Sequence, residues 1–324
     1  MLTEAPRPAA RLRRPATDAP AAPLLELREA KKTYGSVQAL RGLSFTVGAG
    51  EFVAVLGPNG AGKTTMIRSI AGRVRLDSGQ IRFGDRRLKP GSTRREIGVV
   101  PQDLAVYGDL SARENLTMFA RLHGVPAGEI ARRVDTVLDW IGLADRQHHL
   151  VGTFSGGMKR RVNIACGVMH GPRLVLLDEP TVGVDPQSRE KIFDMLAALQ
   201  QRGTAFLLTT HHIEEAEARC DRIVIVDHGR TIASGQVPDL IRTTVGTGSQ
   251  VRLRLDRAAV GPIPNVPLHE DRRTVEARLE EVARDLPRLL NHLQAHGYGV
   301  EDLQVKPPTL QAVFLHLTGR DLRD

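Results

Sequence analysis

A run of eight residues at 57–64 constrains this chain more than any other part of its sequence. It reads Gly-Pro-Asn-Gly-Ala-Gly-Lys-Thr, which fills the pattern G-x-x-x-x-G-K-T of a phosphate-binding loop. That pattern needs a strand before it and a helix after it. An apolar, β-branched run at 51–57 precedes the loop, and apolar residues at helical spacing follow Lys63. The sequence therefore predicts a strand, a phosphate-binding turn and a helix.

Each part of this loop has a predicted role. The glycines let backbone N–H groups turn inward around phosphates, and the helix N-terminus adds a partial positive charge. Lys63 is expected to reach the β- and γ-phosphates, Thr64 to ligate Mg²⁺, and Thr65 to hydrogen-bond the α-phosphate. The other candidate binding residues of the loop are Gly57, Pro58, Asn59, Gly60, Ala61 and Gly62. The alternative is a glycine-rich turn with an incidental lysine, which the flanking strand and helix disfavour.

A second motif is an apolar strand that ends in two carboxylates. Residues 174–177 are Leu-Val-Leu-Leu, and Asp178 and Glu179 follow directly. This arrangement suits a site where Mg²⁺ meets phosphates. Asp178 is predicted to hold the metal, directly or through water, and Glu179 to act as the general base for the attacking water. Acidic strand ends are common at protein surfaces, so the prediction depends on the phosphate loop as its partner.

Strands and helices alternate along most of the chain. Apolar strand-like runs return at 174–177, 205–208 and 223–226, which predicts a mainly parallel α/β core. Residues 111–170 have helical periodicity and are predicted to form a helical insertion. The predicted divisions are a flexible basic tail at 1–23, a first domain at 24–239 and a small α+β accessory domain at 240–324.

Composition limits the classes of partner. No apolar run approaches the ~20 residues that cross a bilayer, and Cys166 and Cys220 lack the spacing of a zinc site or a disulfide framework. The formal net charge of +8 invites a nucleic-acid interpretation, but 38 of the 45 basic residues are arginines spread through the chain. Because net charge is an argument about nonspecific attraction rather than a site, no specific nucleic acid is expected as a partner.

Residues 153–158, Thr-Phe-Ser-Gly-Gly-Met, resemble the signature motif of the ATP-binding cassette ATPases. The resemblance covers about 24–235. It implies the α/β fold of a P-loop NTPase, in which 103–170 is a helical subdomain and the α+β appendage follows. It also implies hydrolysis of ATP with Mg²⁺. Phe154 and Met158 depart from the leucine and glutamine that are frequent in this motif, and neither replaces a residue expected to face phosphate.

The same resemblance implies roles for residues outside the two motifs. Tyr34 resembles the aromatic residue that stacks on adenine; the alternative is a half-buried aromatic at a strand end. Gln102 resembles the glutamine that contacts Mg²⁺ and the attacking water while touching a membrane partner. His211 resembles the switch histidine that contacts the γ-phosphate, and only one of His211 and His212 is expected to reach the nucleotide. Asp185 resembles the D-loop aspartate, although Val182 stands where serine is frequent.

In this family the signature motif acts on the nucleotide of a second subunit. The resemblance therefore implies a head-to-tail pair of cassettes in which Ser155, Gly156 and Gly157 of one copy face the ATP held by the other. Such a pair would close when ATP binds between the two cassettes and open after hydrolysis, and this movement would be its mechanical work.

The C-terminal stretch at 308–319 resembles the closing segment of ABC-2-type exporter ATPases, the branch with daunorubicin-resistance-like and nodulation-type proteins. Gln311 and Ala312 depart from the acidic residues frequent there, and the segment could equally serve packing alone. This branch implies an integral membrane permease as partner, a peripheral position on the cytoplasmic face of the membrane, and export of a drug, lipid or other small molecule. The alternative is a soluble ATPase that acts on nucleic acid or in regulation.

Overall fold

The computed structural model describes residues 22–89, 91 and 94–319, so nearly all of the predicted tail at 1–23 lies outside the described residues. The strands are, in chain order, β1 (Leu25–Tyr34), β2 (Val37–Val47), β3 (Phe52–Leu56), β4 (Ser78–Phe83), β5 (Arg86–Arg87), β6 (Ile97–Val100), β7 (Leu174–Asp178), β8 (Ala205–Thr210), β9 (Arg222–Asp227), β10 (Arg230–Gly235), β11 (Ser249–Leu255), β12 (Thr274–Leu279) and β13 (Val300–Lys306). The α-helices are α1 (Lys63–Ile70), α2 (Ala112–Leu122), α3 (Ala127–Trp140), α4 (Gly156–Val168), α5 (Pro186–Gln201), α6 (Ile213–Arg219), α7 (Val237–Thr244), α8 (Val282–Ala295) and α9 (Leu310–Thr318).

A six-stranded sheet lies at the centre of the structure. Its strand order is β10-β9-β3-β8-β7-β6, and every neighbouring pair from β9 to β6 is parallel. Strands β3 and β7 are buried at every position, as expected for parallel strands that are covered on both faces. The predicted parallel α/β core is confirmed.

A second, antiparallel sheet with the order β2-β1-β4-β5 packs beside the central one. Helix α1 joins the two layers. Its residues Met66 and Ile70 are fully buried in one apolar cluster with Leu27 and Leu43 of the antiparallel sheet and Val55 of β3. The helix that begins at the phosphate loop is thus held against both sheets, which fixes the position of its N-terminus.

Helices α2, α3 and α4 form the predicted helical subdomain. Leu116 of α2 and Val134 of α3 are fully buried in its core. Helix α2 begins at a capping box in which Ser111 accepts from the N–H of Glu114, and the Glu114 carboxylate accepts from the N–H of Ser111. Helix α4 belongs to both layers, because Ile164 packs into the apolar cluster of the central sheet.

The accessory region is a three-stranded antiparallel sheet with the order β12-β11-β13. Val251, Leu253 and Val275 of this sheet share a buried core with Leu293 of α8. Helix α8 therefore covers one face of the sheet, and the arrangement is the α+β appendage that the sequence predicts.

Helix α9, the last described helix, leaves the accessory core and returns to the cassette. Leu310, Val313 and Phe314 are buried in one cluster with Phe52 and Ile223 of the central sheet, beside α6 and α7. The accessory sheet and α8 are thus inserted between two helices, α7 and α9, that both pack on the cassette. The predicted division at residue 240 separates two stretches of sequence, and the end of the second stretch lies in the core of the first.

The longest helix in the described ranges is α5, with 16 residues. Across the part of the chain that the structure describes, no helix is both long enough and apolar enough to cross a membrane.

Replacement of Phe314 by alanine is expected to destabilise the cassette. Phe314 is 1% exposed, and loss of a buried phenyl ring costs about 3–5 kcal/mol through lost burial and the cavity left behind. The measurement is urea unfolding followed by the fluorescence of Trp140, the chain's only tryptophan, whose indole N–H donates to the carbonyl of Met195.

Leu315→Ala is the matched control, because Leu315 is the next residue after Phe314 and its side chain is 51% exposed. Truncation of the Leu315 side chain is expected to lower the free energy of unfolding by less than about 1 kcal/mol. Equal free energies of unfolding for the two variants would show that α9 contributes nothing to the cassette core.

Candidate active site

The phosphate-binding loop connects β3 to α1, and two of its glycines have no room for a side chain. A Cβ on Gly57 would lie 2.3 Å from the carbonyl oxygen of Val226, and one on Gly62 would lie 2.4 Å from that of Ala39. Gly62 also has φ 99° and is the N-cap of α1, a left-handed conformation that glycine adopts without strain. The first turn of α1 carries no acidic residue, so the partial positive charge of its N-terminus stays available for phosphate.

Lys63 lies inside this loop with its side chain 7% exposed. Its Nζ donates to the carbonyl oxygens of Gly57 at 2.6 Å and Pro58 at 3.2 Å, and it lies 3.9 Å from Oε1 of Glu179. Burial lowers the pKa of Lys63, and the negative charges of Glu179 and Asp178 oppose that shift. The ammonium group is thus held at the point where the loop and the two carboxylates meet.

The two carboxylates occupy different positions at the end of β7. Asp178 is 5% exposed, and its Oδ1 accepts from the hydroxyl of Thr209 at 2.6 Å. Asp178 and Thr209 are register partners of the parallel strands β7 and β8, so the sheet itself sets this contact. Glu179 has φ 48°, an uncommon conformation for a residue with a side chain and one found at functional sites.

His211 follows β8 and reaches the second carboxylate. Its Nδ1 lies 3.3 Å from Oε2 of Glu179. The ring of His212 packs against that of His211 with the ring centroids 4.2 Å apart, and burial lowers the pKa of His212. The structure therefore brings Lys63, Asp178, Glu179 and His211 together, as the sequence predicts, and His211 rather than His212 makes the close contact with Glu179.

Gln102 lies two residues after the end of β6, which pairs with β7, and its side chain is exposed. The backbone around it is held from α4. Nη1 of Arg160 donates to the carbonyl oxygens of Gln102 at 2.7 Å and Pro101 at 3.3 Å. Asn163 accepts from the N–H of Ala105 at 3.0 Å and donates to Pro101 at 3.4 Å. The helix that begins at the signature motif thus fixes the loop that carries Gln102.

Sequence reasoning missed this contact. The run at 159–161, Lys-Arg-Arg, suggests either an anion site or a solvated helix face, but Arg160 is 6% exposed and Asn163 is 2% exposed. Buried polar groups need hydrogen-bond partners, but the burial of these two residues is visible only in the structure, so no signal in the sequence indicates this contact.

The signature and D-loop residues pack together as one unit. Ser155 is the N-cap of α4 and accepts from the N–H of Met158 at 3.3 Å. A Cβ on Gly157 would lie 2.2 Å from the hydroxyl of Ser188. The N–H of Ser188 donates to Asp185 at 2.9 Å, and this bond lowers the pKa of Asp185. Gly156 begins the helix.

Two further placements complete the site. Among the described residues, no hydrogen bond or ion pair joins the signature residues at 155–157 to the phosphate loop of the same chain. Tyr34, at the end of β1, is 47% exposed with Nζ of Lys32 5.4 Å from its ring centroid. The ring is therefore open to a stacking partner rather than packed in the core.

Comparisons with known proteins agree with this geometry. The ABC transporter family model matches residues 40–182. The linearmycin resistance ATP-binding protein LnrL of Bacillus subtilis is 39% identical over 93% of this chain and 100% of its own length. The chain belongs to the ABC transporter family, among its ATP-binding proteins. The predicted ATP-binding cassette is confirmed.

Other relatives place this ABC ATPase in the branch that the sequence predicts. The daunorubicin resistance ATP-binding protein DrrA3 of Streptomyces coeruleorubidus is 39% identical over 91% of this chain and 95% of its own. The Nod factor export ATP-binding protein I of Ralstonia nicotianae is 37% identical over 93% and 96%. The match extends beyond the cassette into the accessory region, so the resemblance to the ABC-2-type branch is confirmed.

Solved structures show the same fold and its chemistry. The ATP-binding subunit of an ABC transporter is similar to this ABC ATPase with a TM-score of 0.62 and 33% identity, over 68% of this chain and 92% of its own. A dimeric ATP-binding cassette in a post-hydrolysis state, bound to ADP and Pi, is similar with a TM-score of 0.59 and 27% identity, over 65% and 98%. This ABC ATPase is therefore a P-loop NTPase that hydrolyses ATP.

Replacement of Thr209 by valine is expected to slow ATP hydrolysis by this ABC ATPase. Valine keeps the shape of threonine but removes the donor to Asp178, and a buried acceptor left without its partner costs about 1–3 kcal/mol. If the whole cost falls on the transition state, the rate is expected to fall by about fivefold to 150-fold. The measurement is steady-state hydrolysis at saturating ATP, with circular dichroism to verify folding.

Thr209→Ser retains the hydroxyl and serves as the control, with near-normal activity expected. If the valine variant hydrolysed ATP as fast as the serine variant, the contact between Thr209 and Asp178 would have no part in catalysis.

Proposed function

We propose that this chain is the ATP-hydrolysing subunit of an ABC-2-type exporter, coupled to a separate integral membrane permease. The observation that carries the proposal is the placement of Glu179, whose two carboxylate oxygens face Lys63 of the phosphate loop and His211, the residue after β8. That arrangement supplies a base beside the site where the terminal phosphate is held. The similarity to resistance and Nod factor export proteins along more than nine-tenths of the chain supports the coupling to export.

The residues present fit a nucleotide with Mg²⁺. The loop offers backbone N–H groups at a helix N-terminus, and a Cβ on Gly60 would have nothing within 4 Å, so this side of the loop is open for phosphates. Thr64 and Asp178 are the proposed metal ligands, with Gln102 as a further oxygen donor, and oxygen donors are what Mg²⁺ prefers. No described group of three or more His, Cys, Asp or Glu side chains could cage a metal alone, so phosphate oxygens would complete the set. Mg²⁺, when bound, neutralises charge on the phosphates.

The catalytic step follows from the contacts of Glu179. In our proposal its carboxylate accepts the proton of a water that attacks the γ-phosphate. Lys63 binds the β- and γ-phosphates and stabilises charge in the transition state. His211 holds one carboxylate oxygen of Glu179 and so fixes its orientation while contacting the γ-phosphate. Tyr34 stacks on adenine through its exposed ring, and Thr65 bonds the α-phosphate.

A second copy completes the site in this proposal. Within the described residues, Ser155, Gly156 and Gly157 make no hydrogen bond or ion pair with the phosphate loop of their own chain, and Gly157 packs instead against Ser188 of α5. They are therefore available to face the ATP held by a partner copy in a head-to-tail pair. The dimeric cassette with ADP and Pi, to which this chain is similar, supports such a pair. Separation of the products after hydrolysis weakens the shared contact and opens the pair.

An exposed apolar surface beside Gln102 supports docking of the permease at the cytoplasmic face of the membrane. Leu104 and Tyr107 follow Gln102, and Leu150 lies on the neighbouring segment; they are 41%, 55% and 49% exposed. The two segments are joined by a hydrogen bond from the N–H of Gly152 to the carbonyl of Gly108 at 2.8 Å. Apolar side chains grouped on a surface mark interaction sites, and this one adjoins the loop that senses ATP.

The variant Glu179→Gln is expected to bind ATP but to hydrolyse it about 10²–10⁴-fold more slowly, since the amide cannot accept the proton of the water. The pair of cassettes should remain closed on unhydrolysed ATP. Size-exclusion chromatography with ATP and Mg²⁺ measures the dimer, and phosphate release measures the rate.

Glu190→Gln is the control, because Glu190 is a 62% exposed carboxylate on α5 that pairs with Arg219. It should leave both readouts unchanged. Undiminished steady-state hydrolysis by Glu179→Gln would remove Glu179 from the role of general base.

Tyr107→Asp is expected to release the permease, because loss of an aromatic anchor at an interface costs about 2 kcal/mol or more, roughly thirtyfold in affinity. The measurement is the amount of integral membrane protein recovered with the chain in mild detergent. Val260→Asp, at a 90% exposed apolar residue of the accessory region, is the control and should recover a normal amount. Equal recovery with both variants, or stimulation of hydrolysis by DNA or RNA without any membrane protein, would contradict the proposal.

A further inference from the structure

The two edge strands of the accessory sheet, β12 and β13, differ in whether their outer edges are covered by other parts of the chain. The outer edge of β12 is covered by the chain segment before it. Leu268 forms a β-bridge with Val275 of β12. Two backbone hydrogen bonds flank this bridge: His269 N–H donates to the carbonyl of Thr274 at 2.8 Å, and Glu276 N–H donates to the carbonyl of Pro267 at 3.4 Å. The outer edge of β13 has no neighbouring strand within the described residues.

Strand β13 is also exposed along its length. Every residue from 301 to 306 is exposed, including Leu303 at 41% and Val305 at 39%. An uncovered edge strand with apolar side chains is a template for pairing with another strand, and proteins normally cover, charge or shorten such an edge. Seven residues without proline make β13 long enough to pair.

The register of β13 shows which side chains share a face. Leu303 and Val305 lie opposite the buried residues Leu253 and Val251 of β11, so they point to the covered face of the sheet. Asp302 and Lys306 lie opposite Arg254 and Gln250, whose side chains are exposed, so they point to the open face. Side chains on one strand alternate between faces, and both pairs obey that rule.

This order of side chains is complementary to itself. If two β13 strands pair antiparallel about Gln304, Leu303 of each copy lies opposite Val305 of the other. Asp302 of each then lies opposite Lys306 of the other. Opposite charges and apolar pairs in directly facing positions each stabilise a sheet. Among the described residues neither Asp302 nor Lys306 is in an ion pair of its own chain, so both charges are available to a partner.

We propose that β13 is a second interface between two copies of this chain, in which the two accessory sheets join into one six-stranded sheet. The strand connects through three residues, 307–309, to α9, which is buried in the cassette core. The pairing therefore ties two cassettes together without using nucleotide. A single pair of strands is weak by itself, and its effect is to raise the local concentration of one cassette near the other. The ATP-dependent contact can then open while the copies stay together.

Disulfide cross-linking of the full-length chain without nucleotide tests this interface. In the proposed pairing Gln304 faces its own counterpart across the two-fold axis, at a Cα separation of about 4.5–5.5 Å, which suits a disulfide. Gln304→Cys is therefore expected to give a covalent dimer in high yield on mild oxidation. The native Cys166 and Cys220 are buried and can stay in place.

Gln250→Cys is the matched control, because Gln250 is exposed on the same face but lies on the central strand β11. Its yield is expected to be at least about tenfold lower, since a central strand has no free edge. Equal yields from the two positions would overturn the proposal. The ATP-dependent dimer of Glu179→Gln is measured separately, by size-exclusion chromatography. Absence of the β13 interface can therefore be distinguished from absence of the ATP-dependent interface.

A charge swap tests the register. Asp302→Lys or Lys306→Asp, added to Gln304→Cys, places like charges opposite each other and is expected to lower the cross-linking yield severalfold. The combination of both swaps restores opposite charges at the same positions and should restore the yield. A combined variant that cross-links no better than the single swaps would exclude this pairing.

Discussion

The alignment of the carboxyl ends of β3, β7 and β8 is the constraint on which the rest of the site depends. These strands are parallel and in register, so the phosphate loop after β3, the carboxylates of β7 and the histidine after β8 emerge at one edge of the sheet. The contact between Asp178 and Thr209 is a direct consequence of that register. A shift of one residue would turn every side chain of a strand to the opposite face of the sheet and would separate these groups.

Helix α4 extends this constraint to the rest of the cassette. Its first turn carries Ser155 and packs against the start of α5, while Arg160 and Asn163 hold the loop that carries Gln102. One rigid element therefore connects the residues proposed to face a second copy with the residues proposed to sense ATP and the permease.

Much of the catalytic edge was predictable, because its motifs are local. The phosphate loop and the acidic end of β7 each occupy consecutive residues, and the period of the apolar residues places them at strand ends. The roles assigned to all the individual site residues stay predictions, those of Lys63, Glu179 and His211 as much as those of Tyr34 and Gln102, and so does the domain boundary at 240. Contacts between distant segments were not predictable: nothing near Arg160 or Phe314 in the sequence indicates that one holds a loop at 101–102 and the other fills the cassette core. The free edge of β13 likewise depends on strand order, which periodicity does not reveal.

The central claim is that each ATP site is built from two copies of the chain. Mixing Lys63→Ala with Ser155→Arg tests it most directly. In a mixed head-to-tail pair one site carries both substitutions, while the other combines an intact Lys63 with an intact Ser155. The account predicts that the mixture hydrolyses ATP in a single-turnover assay although neither variant does so alone. A mixture as inactive as its components, or full activity of Ser155→Arg by itself, would contradict it.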